Sequence, residues 1–261
     1  MAYKTTLINN RRYLGNKYRL LPFIRQVVDK YCNNVNVIAD LFAGTGAVSS
    51  AFQDRTIVTN DILYSNYISN TAWFSPQDYD EQKIIRMVEE YNERQVTIDN
   101  YMSRNFADTF FSKQDCRKIG FIREDIERKF RHNELNERER AILITSLLYA
   151  MDKIAKTCGH YDAYRKGVEY DLHLEMYVPQ ARHDNSPENQ CFNEDINALA
   201  PRVTADLVYL DPPYNERQYL PNYHVLETIA RYDYPEINGV TGMRNYDNQK
   251  SDFCKKSTVK S

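Results

Sequence analysis

The chain has 261 residues and a formal net charge of −2, with 42% hydrophobic and 27% charged residues, the balance of a globular protein with a sizeable core. No apolar run nears the roughly 18–20 residues of a membrane span, and the opening "MAYKTTLINNRRYLG" has no apolar signal segment, so a cytoplasmic protein is expected. Cys32, Cys116, Cys158, Cys191 and Cys254 are scattered and form no C-x-x-C pair, which predicts neither a disulfide framework nor a metal site.

Charge distribution says more than the sum. Residues 11–30 carry Arg11, Arg12, Lys17, Arg19, Arg25 and Lys30 against Asp29 alone. Next, "VNVIADLFAGTGAVSSAF" reads as a strand over 35–41, a glycine-rich turn through Phe42, Gly44 and Gly46, and a helix from Ala47. Such a turn lets backbone approach a ligand closely, although a plain tight turn competes. It is not the dinucleotide G-x-G-x-x-G, because Ser49 stands at the third glycine. A second strand, "RTIVTND", ends in Asp61, where an acidic residue is placed to bind ribose hydroxyls.

Residues 64–166 have apolar residues at helical spacing and no strand pattern, which predicts an inserted helical subdomain whose last helix Gly159 ends. The stretch 111–140 is dense in both charges. It is either a salt-bridged solvated helix or a helix that offers Lys113, Arg117 and Lys118 to phosphate. "YDLHLEMYVP" at 170–179 reads as a strand. In "CFNEDINAL", Cys191 and Phe192 read as a strand end. Asp195 is either a helix N-cap or the acceptor for an adenine amine with Ile196 on its face.

In "LVYLDPPYNERQY" the apolar run 207–210 is a buried strand that two prolines must end, leaving Asp211 at its carboxyl end, where open α/β sheets bind ligands. Asp211, the Pro212 carbonyl and the face of Tyr214 together fit a planar group bearing an NH2. Arg217 beside them is placed to contact nucleotides near that group.

With these motifs in order, the chain resembles the N6-adenine DNA methyltransferases of the alpha motif order over nearly its whole length. "RRYLGNKYRLLPFI" is similar to that family's N-terminal motif, with Tyr13, Gly15 and Lys17. "DLFAGTG" resembles its S-adenosylmethionine loop, "NEDI" its adenine-contacting acidic motif, and "DPPY" its catalytic signature. The longer "DPPYNERQYLPNYHVLETIA" and "DKIAKTCGHYDAYRK" resemble a subgroup from type II restriction–modification systems.

The resemblance implies a Rossmann-like α/β sheet with a helical target-recognition insert. Residues 1–66 would form the cofactor part, 67–166 the insert and 167–261 the catalytic part. Phe42, Gly44 and Gly46, with Asp40 at the loop, would cradle the methionine moiety of S-adenosylmethionine. Asp61 would hold its ribose, Asp195 and Ile196 its adenine, and Tyr13 and Lys17 would line the same pocket. Asp211, Pro212 and Tyr214 would act on the target base in double-stranded DNA, and a cognate restriction endonuclease would share the system. Methylation of cytosine N4, an RNA base or a protein glutamine stays open, as does a fragment that binds DNA and cofactor without turnover. The family's sheet has further strands after residue 210, including a hairpin, and none is visible in the text. The expectation is therefore a chain truncated at its C-terminus or one that needs a second chain to supply those strands. Leu207–Leu210 would then keep an unpaired edge and an exposed apolar face.

Overall fold

A computed structural model describes residues 3–157, 159–167, 169–213, 218–246 and 252–254. Its centre is a parallel sheet of four strands: β1 (Val37–Asp40), β2 (Thr56–Asn60), β3 (Gln190–Phe192) and β4 (Leu207–Tyr209), in the spatial order β3-β2-β1-β4. β1 and β2 are the inner strands, buried over all but their first residues, which is why their text is a run of Val, Ile, Ala and Thr rather than an alternation. The chain leaves β1 for β2 on one side and reaches β4 on the other, so the order reverses beside β1. A crevice opens at such a switch point, at the carboxyl ends of the strands. This is the expected Rossmann-like α/β architecture.

Around the sheet stand α1 (Leu21–Tyr31), α2 (Ala47–Ser50) and α3 (Tyr64–Phe74), then α4 (Glu81–Glu93), α5 (Tyr101–Asn105), α6 (Lys113–Arg131) and α7 (Glu137–Ile154). After the helical layer come α8 (Ile196–Leu199) and α9 (Leu220–Arg231). The long helices start on side-chain caps: Asp80, Ser112 and Asn136 each accept a first-turn backbone N–H. α6 also places Asp115 in its first turn and Arg128, Lys129 and Arg131 in its last, which suits the helix dipole.

The helices over 64–154 are not a detached lobe. α3 lies on β2 and β3 and packs along α7, and one apolar core runs from α3 through α4–α7 into α9. The expected boundary at residue 66/67 falls inside α3. Arg138 on α7 is fully buried, and its guanidinium donates to the carbonyls of Ala72, Gln77 and Arg182.

Three expectations need correction. First, α7 ends at Ile154, before Gly159, because Ala155 turns to extended backbone and Thr157 bridges to Tyr164. Second, residues 170–179 are mostly not a strand. The alternation is real in burial, with Leu174, Met176 and Val178 inside, but the N–H groups of Leu174 and Met176 donate to the side chains of Asp115 and Asn92. Only Val178–Pro179 pairs, parallel to Thr5–Thr6 and away from the central sheet. Third, the stretch after α9 does hold a ladder: Ile237–Asn238 pairs antiparallel with Met243–Arg244, also apart from the central sheet.

Among the described residues β4 has a neighbouring strand on one side only, and Val208 and Leu210 are 45% and 58% exposed. No described helix is long and apolar enough to cross a membrane.

Candidate active site

A cleft of about 1010 Å³, open mouth included, lies at the carboxyl ends of the strands. Tyr13, Lys17, Asp40, Phe42, Gly44, Asp61, Asp195, Ile196 and Asp211 all line it, although the sequence spreads them over nearly 200 positions.

The turn after β1 is held from below. Gly44 has φ +53, and a Cβ there would stand 3.1 Å from the Tyr13 ring. Its N–H donates to Asp61 Oδ2 at 2.8 Å, while Leu63 N–H donates to Asp61 Oδ1 at 2.8 Å. Both Asp61 oxygens therefore bind backbone, and the residue organises the loop that it lines. Asn70 of α3 donates to the Gly44 carbonyl at 3.3 Å. Gly46 has a different reason to be glycine. It has φ +82, and a Cβ there would stand 2.4 Å from the Asn70 side chain and 2.7 Å from Phe74. Gly46 itself is not among the cleft-lining residues, although its neighbours Thr45 and Ala47 are.

Asp40, at the end of β1, is 1% exposed and accepts the Ser49 hydroxyl at 3.0 Å on Oδ2. Its Oδ1 is buried with no hydrogen-bond partner among the described residues. Burial, with Asp61 and Asp211 adding repulsion, pushes the Asp40 carboxyl up to about 7. Burial likewise pushes Asp61 up to about 6, against the amides that favour its charge. An acidic, partly dehydrated cleft of this kind gains from a cationic ligand.

Tyr13 stacks on Tyr223 with centroids 4.7 Å apart and takes the Asn66 side-chain N–H on its hydroxyl at 3.1 Å. Phe42 meets Phe253 edge-on at 5.3 Å. Asp195 caps α8, accepting Asn197 N–H at 2.8 Å, so the N-cap reading holds whatever else it does. Lys17 reaches across the cleft to the Asp211 carboxylate and also donates to the Gly15 carbonyl at 3.0 Å. Pro213, rather than Pro212, lines the cleft. Tyr214 and Arg217 lie outside the described residues.

Lys113, Arg117 and Lys118 are remote from the cleft lining and have partners in the helical layer. Lys113 and Arg117 pair with Asp99 at 3.4 and 2.7 Å, and Lys118 donates to the Asn92 carbonyl at 2.6 Å. Asp99 is held down to about 2, first by its hydrogen bond to Arg117. These contacts are those of a salt-bridged solvated helix. Among the described residues no three His, Cys, Asp or Glu side chains gather as a metal-holding group.

Sequence reading missed Asn66, Asn70, Tyr223 and Glu227. A signal existed for two of them: in "YSNYISNTAWF" Asn66 and Asn70 recur one turn apart on a helix face that is otherwise buried.

The chain is similar to known modification enzymes. It is 36% identical to the Type II methyltransferase M.FokI of Planomicrobium okeanokoites over 95% of this chain and 41% of the relative. It is 35% identical to the modification methylase StsI of Streptococcus sanguinis over 94% of this chain and 40% of that protein. With the Type II methyltransferase M.NlaIII of Neisseria lactamica it shares 29% identity over 95% of this chain and 76% of the relative. It thus spans about two fifths of the length of M.FokI and StsI. The family described as D12 class N6 adenine-specific DNA methyltransferase matches residues 13–261, and the chain belongs to that family.

Proposed function

We propose that this chain is the catalytic part of a modification methyltransferase. It moves a methyl group from S-adenosylmethionine to the N6 amine of an adenine flipped out of duplex DNA, in the cytoplasm and within a restriction–modification system that includes a cognate endonuclease. The observation that carries this reading is that Asp211, at the end of β4, opens onto the same cleft as Asp40, Gly44 and Asp61 at the ends of β1 and β2.

The cleft suits the cofactor. It offers an orphaned carboxylate oxygen on Asp40 for a cation, a glycine at the close approach of position 44, and the apolar faces of Phe42 and Ile196. Bound S-adenosylmethionine supplies an electrophilic methyl group on a sulfonium. In this reading Asp61 and Asp195 hold the ribose and adenine, and Tyr13 and Lys17 close the pocket beside them. The adenine amine is a poor nucleophile because its lone pair is conjugated with the ring. Accepting hydrogen bonds from its two N–H groups on the Asp211 carboxylate and the Pro212 carbonyl localises that pair; the N–C bond forms as the S–C bond breaks, leaving a neutral thioether, and the surplus proton on N6 leaves to solvent. Catalysis is then positioning plus electrostatics. Flipping the base costs a few kcal/mol, and stacking on Tyr214 offsets about 1–3 kcal/mol of it. As a functional division, residues 1–66 serve the cofactor, 67–166 the DNA and 167–261 the target base, with α3 shared between the first two.

The test is Asp211→Ala with purified chain and duplex DNA. Methyl transfer should fall by at least about a hundredfold, with cofactor affinity within tenfold of the parent. Substantial residual turnover would remove Asp211 from the chemistry. Analysis of the methylated base separates N6-adenine from N4-cytosine. A second reading, binding without turnover by this chain alone, is favoured by the one-sided pairing of β4 among the described residues and the exposure of Val208 and Leu210. A parent chain that binds both ligands but transfers no methyl group would support it.

A further inference from the structure

Residues 13–17 touch both halves of the cleft. At one end the Tyr13 ring lies against the glycine turn, 3.1 Å from where a Cβ on Gly44 would stand. At the other, Lys17 meets the Asp211 carboxylate. What seats this segment is α9, the helix that begins just after the target-base loop. The N–H of Leu14 donates to the Tyr223 hydroxyl at 2.6 Å, and the Tyr223 ring stacks on Tyr13 with planes 13° apart. Tyr223 is 1% exposed and stands where α9 departs from helical backbone, at φ −131 and ψ 16.

One turn further on the same helix, the fully buried Glu227 accepts the N–H groups of Tyr64 and Ser65 at 2.9 and 2.8 Å. Those amides open α3, whose Asn66 and Asn70 hold Tyr13 and Gly44. α9 therefore grips the glycine side twice, through residues 13–14 and through the start of α3. Its own start, Leu220, lines the cleft.

We infer that Tyr223 is a positioning residue that couples the two halves of the cleft, so that occupancy of the cofactor side and capture of duplex DNA favour each other. The inference rests on the methyltransferase reading above. If Tyr223 only filled space, phenylalanine would serve, since the ring stack needs no hydroxyl; the hydroxyl satisfies the main-chain N–H of Leu14, in the middle of the connecting segment. Coupling of this kind is reciprocal: whatever factor DNA adds to cofactor affinity, cofactor adds to DNA affinity.

The experiment compares the full chain with Tyr223→Phe. S-adenosylmethionine affinity is measured with and without saturating duplex, alongside the thermal midpoint and the kcat and KM of methyl transfer. The expected result is a thermal midpoint within a few degrees of the parent and cofactor affinity without DNA changed less than about twofold. The enhancement by duplex should shrink about three- to tenfold, the scale of one hydrogen bond, and kcat should fall in step. An unchanged enhancement in Tyr223→Phe overturns the inference while leaving the methyltransferase reading intact. A parent that binds no S-adenosylmethionine overturns both. Hydrogen exchange on the parent gives a test free of any substitution. The Leu14 amide should exchange more slowly when either ligand is added and slowest with both. Protection that ignores DNA overturns the coupling even if the variant does not fold.

Discussion

On the glycine side of the cleft the main-chain N–H groups of Gly44 and Leu63 both end on Asp61, Ser49 holds Asp40, and Asn70 holds the Gly44 carbonyl. On the Asp211 side, Val208 and Leu210 are about half exposed, and Asp211 finds its ion-pair partner in Lys17, 194 positions away. The first side is set by contacts among neighbouring loops and the helix below them. The second is secured from outside, by Lys17 of a segment near the N-terminus. A change on the glycine side should therefore show first in folding or cofactor affinity. A change on the Asp211 side should show first in turnover or association.

The largest expected effect lies on the glycine side. Gly46→Val places a branched side chain at φ +82 with its Cβ 2.4 Å from Asn70 and 2.7 Å from Phe74. The loss of stability should exceed about 3 kcal/mol, combining backbone strain with overpacking. Circular dichroism during thermal melting reads it. A variant with the parent's melting point that merely lost cofactor would return Gly46 to the ligand cradle.

The buried acids sharpen the comparison through pH. Folding raises Asp40 to about 7 and Asp61 to about 6, so the folded chain binds more protons than the unfolded one between about pH 4 and 7. The stability they contribute is fully present below the unfolded pKa and is lost as pH rises through 6 and 7, at up to about 1.4 kcal/mol per pH unit per group. A cationic cofactor should run the other way, binding more tightly as these carboxyls ionise across the same window. Asp40→Asn should flatten the upper part of both curves in calorimetry; unaltered curves would show that Asp40 does not titrate there.

The Asp211 side should respond in association. Val208→Lys on the one-sided edge of β4 should reduce any concentration-dependent growth in mass seen by light scattering and leave the melting point nearly unchanged. If the parent is monomeric at high concentration, that edge is not sticky. The smallest effect is expected far from both sides. Replacing Lys113, Arg117 and Lys118 together removes cations already engaged with Asp99 and Asn92. DNA affinity should move less than about twofold, and its salt slope should stay the same. A flatter slope would make that helix face a phosphate contact after all.

The legible parts of this molecule were those written in short stretches of chain. The inner strands announce themselves as apolar β-branched runs, the glycine turn by its composition, and the end of β4 by two prolines that cannot pair. The charge pattern of α6 leaves two readings open, and the pairing of Lys113 and Arg117 with Asp99 lies with a residue outside that helix. What stayed hidden depends on which distant group meets which. Asp61 reads as a residue at a strand end, and that its two oxygens also fasten the glycine turn and the start of α3 depends on where the fold brings Gly44 and Leu63. The alternation over 172–178 looks like a strand, but its amides are taken by side chains of α4 and α6 rather than by a ladder. Gly44 and Gly46 look equivalent, and only the helix beneath shows that one faces the cleft and the other faces Phe74.

Arg138 bears on how freely this architecture can be recombined. Its buried guanidinium, on the helical layer, ties down main-chain carbonyls at the end of α3, in the link to α4, and at residue 182 on the way back to the sheet. A planar fork with several donors can do this and a lysine cannot. Helices α4–α7 are thus stitched to the chain that enters and leaves them, not hung from it by free linkers. An engineer who exchanged them for those of a relative would have to move residues 72–77 and 182 in the same cassette. Otherwise the main-chain carbonyls of residues 72, 77 and 182 would lose the donor that Arg138 supplies.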